Sequence, residues 1–305
     1  MIKFMAAPLQ GYTDAAWREA HSIVYGGVDV YFTPFARVER GEVRRRDLRE
    51  AALSTSYNLV PQIIFRDMME FDMLVDALST QGHRRIDLNL GCPFPPQVHH
   101  GRGTGALVNR RLMEQVRDRV AQLSDIDFSL KMRLGVERPD EWKEVADVLA
   151  DMRLTHVAVH PRTARQQYGG ELHTEVFAQV VAALPHPVVF NGDIASPADV
   201  EHVAAMAGVE GVMAGRGLLA RPSLAAEWRS GQEWSRDERL GRLLLLHKAV
   251  LEARAERISG GDKQLLSAMQ PFWHYLEPEI GHRTAKAIRK ATSMAKYNAA
   301  VGEIS

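Results

Sequence analysis

The chain has 305 residues, 46% of them hydrophobic and 25% charged, and its 38 basic side chains balance 38 acidic ones. That is enough sequence for one large domain, or a large and a small one. Zero net charge leaves any nucleic-acid binding to local patches. No apolar run approaches the roughly 18–20 residues of a membrane-crossing helix, and one cysteine excludes an internal disulfide or a cysteine-based zinc site.

The N-terminus, MIKFMAAPLQGYTD, lacks the apolar core of a signal peptide and reads as a strand entering a turn. With one thiol, a reducing cytoplasm is the expected location. Along the chain, short β-branched runs alternate with amphipathic segments. IKFMAAPL (2–9) precedes TDAAWREAHSIV (13–24). VDVYFTPF (28–35) precedes a charged stretch of helical composition. LVPQIIFR (59–66) precedes MEFDMLVDALSTQG (69–82), and RRIDLNLG (84–91) precedes ALVNRRLMEQVRDRVAQL (106–123). DFSLKMRLG (127–135), THVAVHPRT (155–163), HPVVFNGDI (186–194) and GVMAGRGLL (211–219) are each followed by a further helical segment. Ser196-Pro197 suits an N-cap and first turn.

Eight strand candidates, each with its helix, predict a parallel sheet with crossover helices. Their number and length match a closed (β/α)8 TIM barrel of class α/β. A doubly wound open sheet is the alternative. From about residue 235 only helical segments follow: RDERLGRLLLLHKAVLEARAERI, KQLLSAMQPFWHYLEPEI and RTAKAIRKATSMAKYNAAV. The expected organisation is a barrel over 1–234 and a small C-terminal all-helical domain over 235–305.

Polar residues collect where the strands stop, which in a barrel is where reacting groups sit. DLNLG runs into Cys92, FSL into Lys131 and Arg133, VAV into His160 and Arg162. VVF runs into Asn191, Gly192 and Asp193, and VMA into Gly215, Arg216 and Gly217. Singly, each has a bland reading: a small buried hydrophobe for Cys92, a satisfied core side chain for His160, turn material for the glycines. Together they converge on one mouth. The loops after the seventh and eighth strands are the usual phosphate cradle of such barrels. Glycines there let backbone N–H groups approach phosphate oxygens, and Arg216 adds a charge-assisted partner. A phosphorylated cofactor with a flat polar head fits, flavin mononucleotide among them.

AAPLQGYTDAAWR (6–18), NLGCP (89–93), GRGTGALV (101–108), KMRLG (131–135), VHPRT (159–163), NGDI (191–194) and GRG (215–217) occur in the order of a known family. The chain resembles the bacterial tRNA-dihydrouridine synthases, FMN enzymes with a TIM barrel and a helical C-terminal domain. LLSAMQPFWHYL (265–276) resembles the family's RNA-binding helices more loosely.

The resemblance implies a role for individual residues. Pro8 and Leu9 would lie against the flavin and Gln62 would hydrogen-bond its ring. Asn89 would stand near flavin and substrate uracil. Lys131 and His160 would contact the flavin and its phosphate side, and Asn191, Gly192, Asp193, Gly215 and Arg216 would form the phosphate end. Cys92 would be the catalytic thiol, protonating carbon 5 of the uracil as hydride reaches carbon 6, with NADPH as the electron source. A thiol near its free pKa of about 8.5 is mostly protonated at neutral pH and can serve as that acid. The chain departs from the family at Phe94-Pro95-Pro96-Gln97, where a small or polar residue and often a lysine stand, and at Gln10, His99 and His100.

For tRNA, two basic segments are available: arginine-rich RVERGEVRRRDLR (37–49), and HRTAKAIRKATSMAK (282–296), where Arg283, Lys286, Arg289 and Lys290 fall near helical spacing. For each the bland reading is a solvated helix face; the resemblance favours RNA contact for the second. TPFARV (33–38) is similar to the subgroup that reduces position 16 of the D-loop. No metal is expected, and a monomer is. The rival readings are an FMN barrel acting on a free pyrimidine, as a dihydroorotate dehydrogenase does, and an RNA-binding paralogue without catalysis. The helical C-terminus weighs against the first and the intact Cys92, Lys131 and His160 against the second.

Overall fold

The computed structural model describes residues 2–304. Eight parallel strands form one sheet: β1 (Lys3–Ala6), β2 (Val30–Phe32), β3 in two halves (Leu59–Val60 and Gln62–Ile63), β4 (Arg85–Leu90), β5 (Asp127–Arg133), β6 (Leu154–His160), β7 (Val188–Asn191) and β8 (Val209–Ala214). β1 pairs with both β2 and β8, and each later strand pairs with its successor. The ring closes at β3. Leu59 and Val60 are in register with Tyr31 and Phe32 of β2, whereas Gln62 and Ile63 are in register with Asp87 and Leu88 of β4. Between them stands Pro61, which has no N–H to give either neighbour. Its carbonyl accepts from the backbone N–H of Asp87 at 2.9 Å. The open-sheet alternative is thereby set aside.

Alternation along the strands sorts side chains into two populations. Phe4, Ile86, Leu88, Leu90, Phe128, Leu130, Met132, Val157, Val159, Phe190 and Val212 face the helices and join one large core. Met5, Ala7, Val30, Phe32, Val60, Ala158, Val189 and Met213 form a second, smaller cluster. These belong to the opposite strand parity and fill the barrel. On β3, β4 and β5 that same parity carries Gln62, Asp87, Asn89, Ser129 and Lys131 instead. The lumen is therefore apolar on one side and polar on the other.

The connecting helices begin where the sequence offers a cap. The Asp14 carboxylate accepts from the Trp17 N–H at 2.9 Å, Asp67 does the same for Glu70 at 2.9 Å, and Ser196 with Asp199 makes a full capping box ahead of Pro197–Ala204. Two expectations are corrected. The charged stretch after β2 is not simply helical: Val38–Glu39 and Glu42–Val43 form a hairpin before a short helix, Arg45–Glu50. Beyond residue 235, the long helix Arg236–Arg257 is as expected, but the next two segments are broken. Pro271 confines Gln270–Trp273 to a 3-10 turn, and Ser293 starts a fresh helix, Met294–Gly302, by accepting from the Lys296 N–H at 3.3 Å.

The helix Arg236–Arg257 packs along Ala15–Val24. Its Arg254 guanidinium reaches the Asp14 carboxylate at 2.8 Å and the Ala268 carbonyl at 2.7 Å. Arg254 is buried and Asp14 half-exposed, so the pair is only partly screened. Arg254→Ala leaves the Ala268 carbonyl without that donor. It is expected to cost about 1–3 kcal/mol, read as a fall in the urea midpoint at unchanged slope.

Candidate active site

The C-terminal strand ends open into a cavity of about 830 Å3. Its wall includes Pro8, Leu9, Asn89, Cys92, Lys131, His160, Asn191, Gly192, Asp193, Gly215 and Arg216, all anticipated from the sequence. The barrel accounts for this convergence, since every one of them ends or follows a parallel strand.

Cys92 sits on the loop after β4, half-buried. The loop is fixed from several sides. The Asn89 Oδ1 accepts from the backbone N–H groups of Gly91 at 3.2 Å and Cys92 at 2.9 Å. The buried Arg133 guanidinium donates to the carbonyls of Gly91 at 3.1 Å and Thr163 at 2.8 Å, tying β4 to the loop after β6. Thr104 donates its hydroxyl to the Cys92 carbonyl at 3.2 Å. Gly103, at φ +58°, lies so close that a Cβ would meet that of Cys92 at 2.7 Å. After the cysteine, Phe94 stands outward and Pro95–His99 forms one short helix. The bonds from Asn89 and Thr104 fix the loop that carries the thiol on the cavity wall.

Burial raises the Cys92 pKa, opposed by its Phe94 backbone hydrogen bond and the charges of Arg133 and Lys131. The sulfur is therefore a thiol at neutral pH. Lys131 moves the other way: burial and the adjacent Arg133 lower it to about 8, while Asp87 and Cys92 act to raise it. His160 is held neutral by burial and by Arg133, Lys131, Arg162 and Arg216 around it.

At the opposite end of the cavity, Arg162 donates to the Asp193 carboxylate at 2.6 and 3.0 Å, and Arg216 donates at 3.0 Å. Asp193 was expected at a phosphate end, where a free carboxylate would repel. Here two guanidinium groups occupy it and hold its pKa below the usual range. Gly217 is sterically required, because a Cβ would fall 1.8 Å from the Ile194 carbonyl oxygen. Asn191 spends its Nδ2 on the Met213 carbonyl at 2.7 Å, joining β7 to β8.

Gln62 is placed differently from the rest. It is fully buried and does not line the cavity. Its Nε2 donates to Asp87 at 2.7 Å and its Oε1 accepts from the Asn89 Nδ2 at 2.6 Å. Among the lining residues, Tyr168 and Gln167 were not singled out beforehand, and Gln97 was noted only as a departure from the family. Tyr168 stands with the Arg216 guanidinium 4.4 Å and that of Arg133 5.4 Å from its ring centre. Gln167, beside it, has φ +50°, a strained conformation for a non-glycine residue. Gln97 has its Oε1 buried with no hydrogen-bond partner among the described residues. Tyr168 and Gln167 lie in RQQYGG, which carries only turn composition, so strand-end reasoning passes over it.

A model of the dihydrouridine synthase (Dus) family matches residues 5–299. The chain belongs to the dihydrouridine synthase family. It is 31% identical to a tRNA-dihydrouridine(16) synthase of Cupriavidus necator over 252 residues, covering 77% of this chain and 78% of that protein. It is 27% identical to tRNA-dihydrouridine synthase B of Pseudomonas putida over 254 residues, covering 81% and 75%. Histamine dehydrogenase from Rhizobium sp. 4-9 shares the fold, with a TM-score of 0.53 and 14% identity over 75% of this chain and 46% of that one.

Outside the cavity wall, Arg283, Lys286, Arg289 and Lys290 are exposed on and just after the helix His282–Arg289, whose Ala285 and Ile288 face inward. Arg289 is engaged with Glu277 at 2.9 Å. Around Arg37–Arg49, Arg37 reaches the cavity wall, and Arg44 is paired with Glu39 at 3.0 Å. No helix among the described residues is long and apolar enough to cross a membrane.

The raised Cys92 pKa has a direct readout. Alkylation by iodoacetamide at pH 7 is expected to be slower than that of free cysteine. Its pH profile should inflect above the free-thiol value. An inflection below it would mean that Cys92 is a stabilised thiolate.

Proposed function

We propose that the protein reduces the 5,6 double bond of a uracil in the tRNA D-loop to 5,6-dihydrouridine, with FMN as cofactor, NADPH as electron donor and Cys92 as the proton donor. The observation that carries this reading is a half-buried thiol, its loop hydrogen-bonded to Asn89 and Thr104, on the wall of a cation-rich cavity. The dihydrouridine synthases named above, which act on tRNA, support the substrate. The Cupriavidus necator relative, named for position 16, supports that uridine as the target.

The cavity suits FMN by its donor set. Arg216 and the backbone around Gly215 and Gly217 would take the phosphate, with Arg162 turned to the same end by Asp193. Pro8 and Leu9 offer an apolar surface to the ring system, and Lys131 a cation at its polar edge. When bound, the flavin would supply the hydride for carbon 6 of the uracil. The residues of this chain do the rest. Asn89 orients the base beside Cys92. The Cys92 thiol gives its proton to carbon 5 and is reprotonated from solvent before the next turnover. Lys131, cationic below about pH 8, holds negative charge near the ring. Neutral His160 accepts or donates a hydrogen bond without adding a fifth charge.

The division into a catalytic barrel (1–234) and an RNA-binding helical domain (235–305) belongs to this proposal, as do cytoplasmic location and a monomeric state. RNA would be held through phosphates on the face carrying Arg283, Lys286 and Lys290.

The central test uses Cys92→Ala. The purified variant should remain yellow, release FMN on denaturation and be reduced by NADPH like the wild type. Single-turnover reduction of unmodified tRNA should fall by about 10²–10⁴-fold, the usual worth of a general acid. A variant that reduces tRNA within a few-fold of wild type removes the thiol from the chemistry. Mass spectrometry of the tRNA product locates the reduced uridine.

For RNA contact, Arg283→Ala and Lys286→Ala are each expected to lower the slope of log affinity against log salt by about one. Arg289→Ala should do less, because Glu277 already occupies its charge. Unchanged slopes would place tRNA elsewhere.

A further inference from the structure

The interior polar chain on β3, β4 and β5 has a direction. At its base lies Asp87, fully buried inside the barrel and not part of the cavity wall. One carboxylate oxygen accepts from the Gln62 Nε2 at 2.7 Å and the other from the Ser129 hydroxyl at 2.6 Å. The Gln62 Oε1 accepts from the Asn89 Nδ2 at 2.6 Å. The Asn89 Oδ1 then accepts from the N–H groups of Gly91 and Cys92. Two side chains, Gln62 and Asn89, thus link a buried acid to the backbone of the reactive cysteine.

We infer that Asp87 is a positioning residue for the uridine-reducing step: its carboxylate, an acceptor only, sets the polarity of the Gln62 and Asn89 amides and so the placement of Cys92.

The reasoning is one of donors and acceptors. An amide can present either its oxygen or its NH2 to a neighbour, and the two ends are nearly the same shape. An ionised carboxylate cannot donate. Gln62 must therefore turn its NH2 toward Asp87, which leaves its oxygen for Asn89. Asn89 must then turn its NH2 toward Gln62, which leaves its oxygen for the two backbone N–H groups. Reversing one amide would set donor against donor at the next link. At the far end, the Asn89 Nδ2 would face the Cys92 N–H and the loop would lose both of its bonds to β4.

Stability alone does not account for an acid at this place. Burial of the carboxyl group raises its pKa to about 6, against the help of Gln62, Ser129 and the charge of Lys131. At pH 7.5 the fold thus carries an ionised group that its surroundings disfavour. A neutral isostere would be easier to bury. An asparagine in place of Asp87 could not itself enforce one polarity, since its own amide can donate or accept; only the Gly91 and Cys92 N–H groups, at the far end of the chain, would then hold it.

This inference rests on the proposed uridine reduction, and the test separates the two. Wild-type, Asp87→Asn, Gln62→Met and the double variant are prepared with FMN bound. Each is reduced by NADPH, then mixed with unmodified tRNA in a single turnover at pH 7.5. Asp87→Asn is expected to keep its melting temperature, its FMN content and its rate of reduction by NADPH. Its uridine reduction should slow at least tenfold. Gln62→Met should slow the same step similarly. The double variant should be no slower than the slower single one, because both cut the same chain. Uridine reduction by Asp87→Asn within threefold of wild type overturns the role, and so do losses that multiply in the double variant. If Asp87→Asn does not fold, Gln62→Met decides alone, and a rate within threefold of wild type is the overturning result. If the wild-type protein itself reduces no uridine, the proposed function fails, not the assignment of Asp87 in particular.

Discussion

Closure of the barrel at Pro61 is the constraint on which the site depends. A parallel sheet of eight strands brings all its C-terminal strand ends to one rim only if the last strand finds the first. Here the junction is one strand whose two halves serve different neighbours. Pro61 divides them, since a residue without an N–H cannot hold a ladder position on either side. Its carbonyl still accepts from Asp87. The same few residues therefore close the barrel and place Gln62 directly opposite Asp87 in register. Closure and the polar chain to Cys92 share one piece of backbone.

The lumen that results is built with unequal sides. Met213, Met5, Phe32 and Val60 make one side dry, and Gln62, Asp87, Asn89, Ser129 and Lys131 make the other polar. Above it stand Lys131, Arg133, Arg162 and Arg216, with Asp193 the acid set among them. Two consequences follow from that excess of positive charge. His160 stays neutral, because a further proton would be added to a buried, already cationic site. A bound anion would find its countercharges in place and oriented, with no reorganisation required when charge develops.

Much of this was legible beforehand, and the reasons are specific. Most of the eight strands are short runs of apolar and β-branched residues bounded by turn residues, and the polar strand ends sit one or two residues past the last apolar one. Alternation within the strands carries further information. In RIDLNL, Ile86, Leu88 and Leu90 share one parity while Asp87 and Asn89 share the other. An acid between apolar neighbours in a strand of a closed barrel has only the lumen to occupy. The places of Tyr168 and Gln167 on the wall were not legible, because they depend on how loops fold back over the rim. The breaks at Pro271 and Ser293 were visible as a proline and a capping serine. Helical composition on both sides hid them, and local capping outweighed it. The fully buried placement of Gln62 follows from its register with Asp87, which only the closed ring defines.

The helices beyond residue 235 do more than extend the chain. Arg254 bonds to Asp14, and Asp14 is the cap that starts the helix after β1. Tyr12, in the loop before that helix, packs its ring against His274 at 5.6 Å and Tyr275 at 5.1 Å between centres. Tyr275 itself reaches the cavity wall, alongside Pro8 and Leu9. The loop expected to bear on the flavin is thus held between the barrel and the same helical region that carries the exposed basic face. The order of the chain explains why this is possible. β1 opens the barrel and pairs with β8, the last strand of the barrel. The C-terminal helices, leaving from β8 next to it, have that loop as their nearest surface.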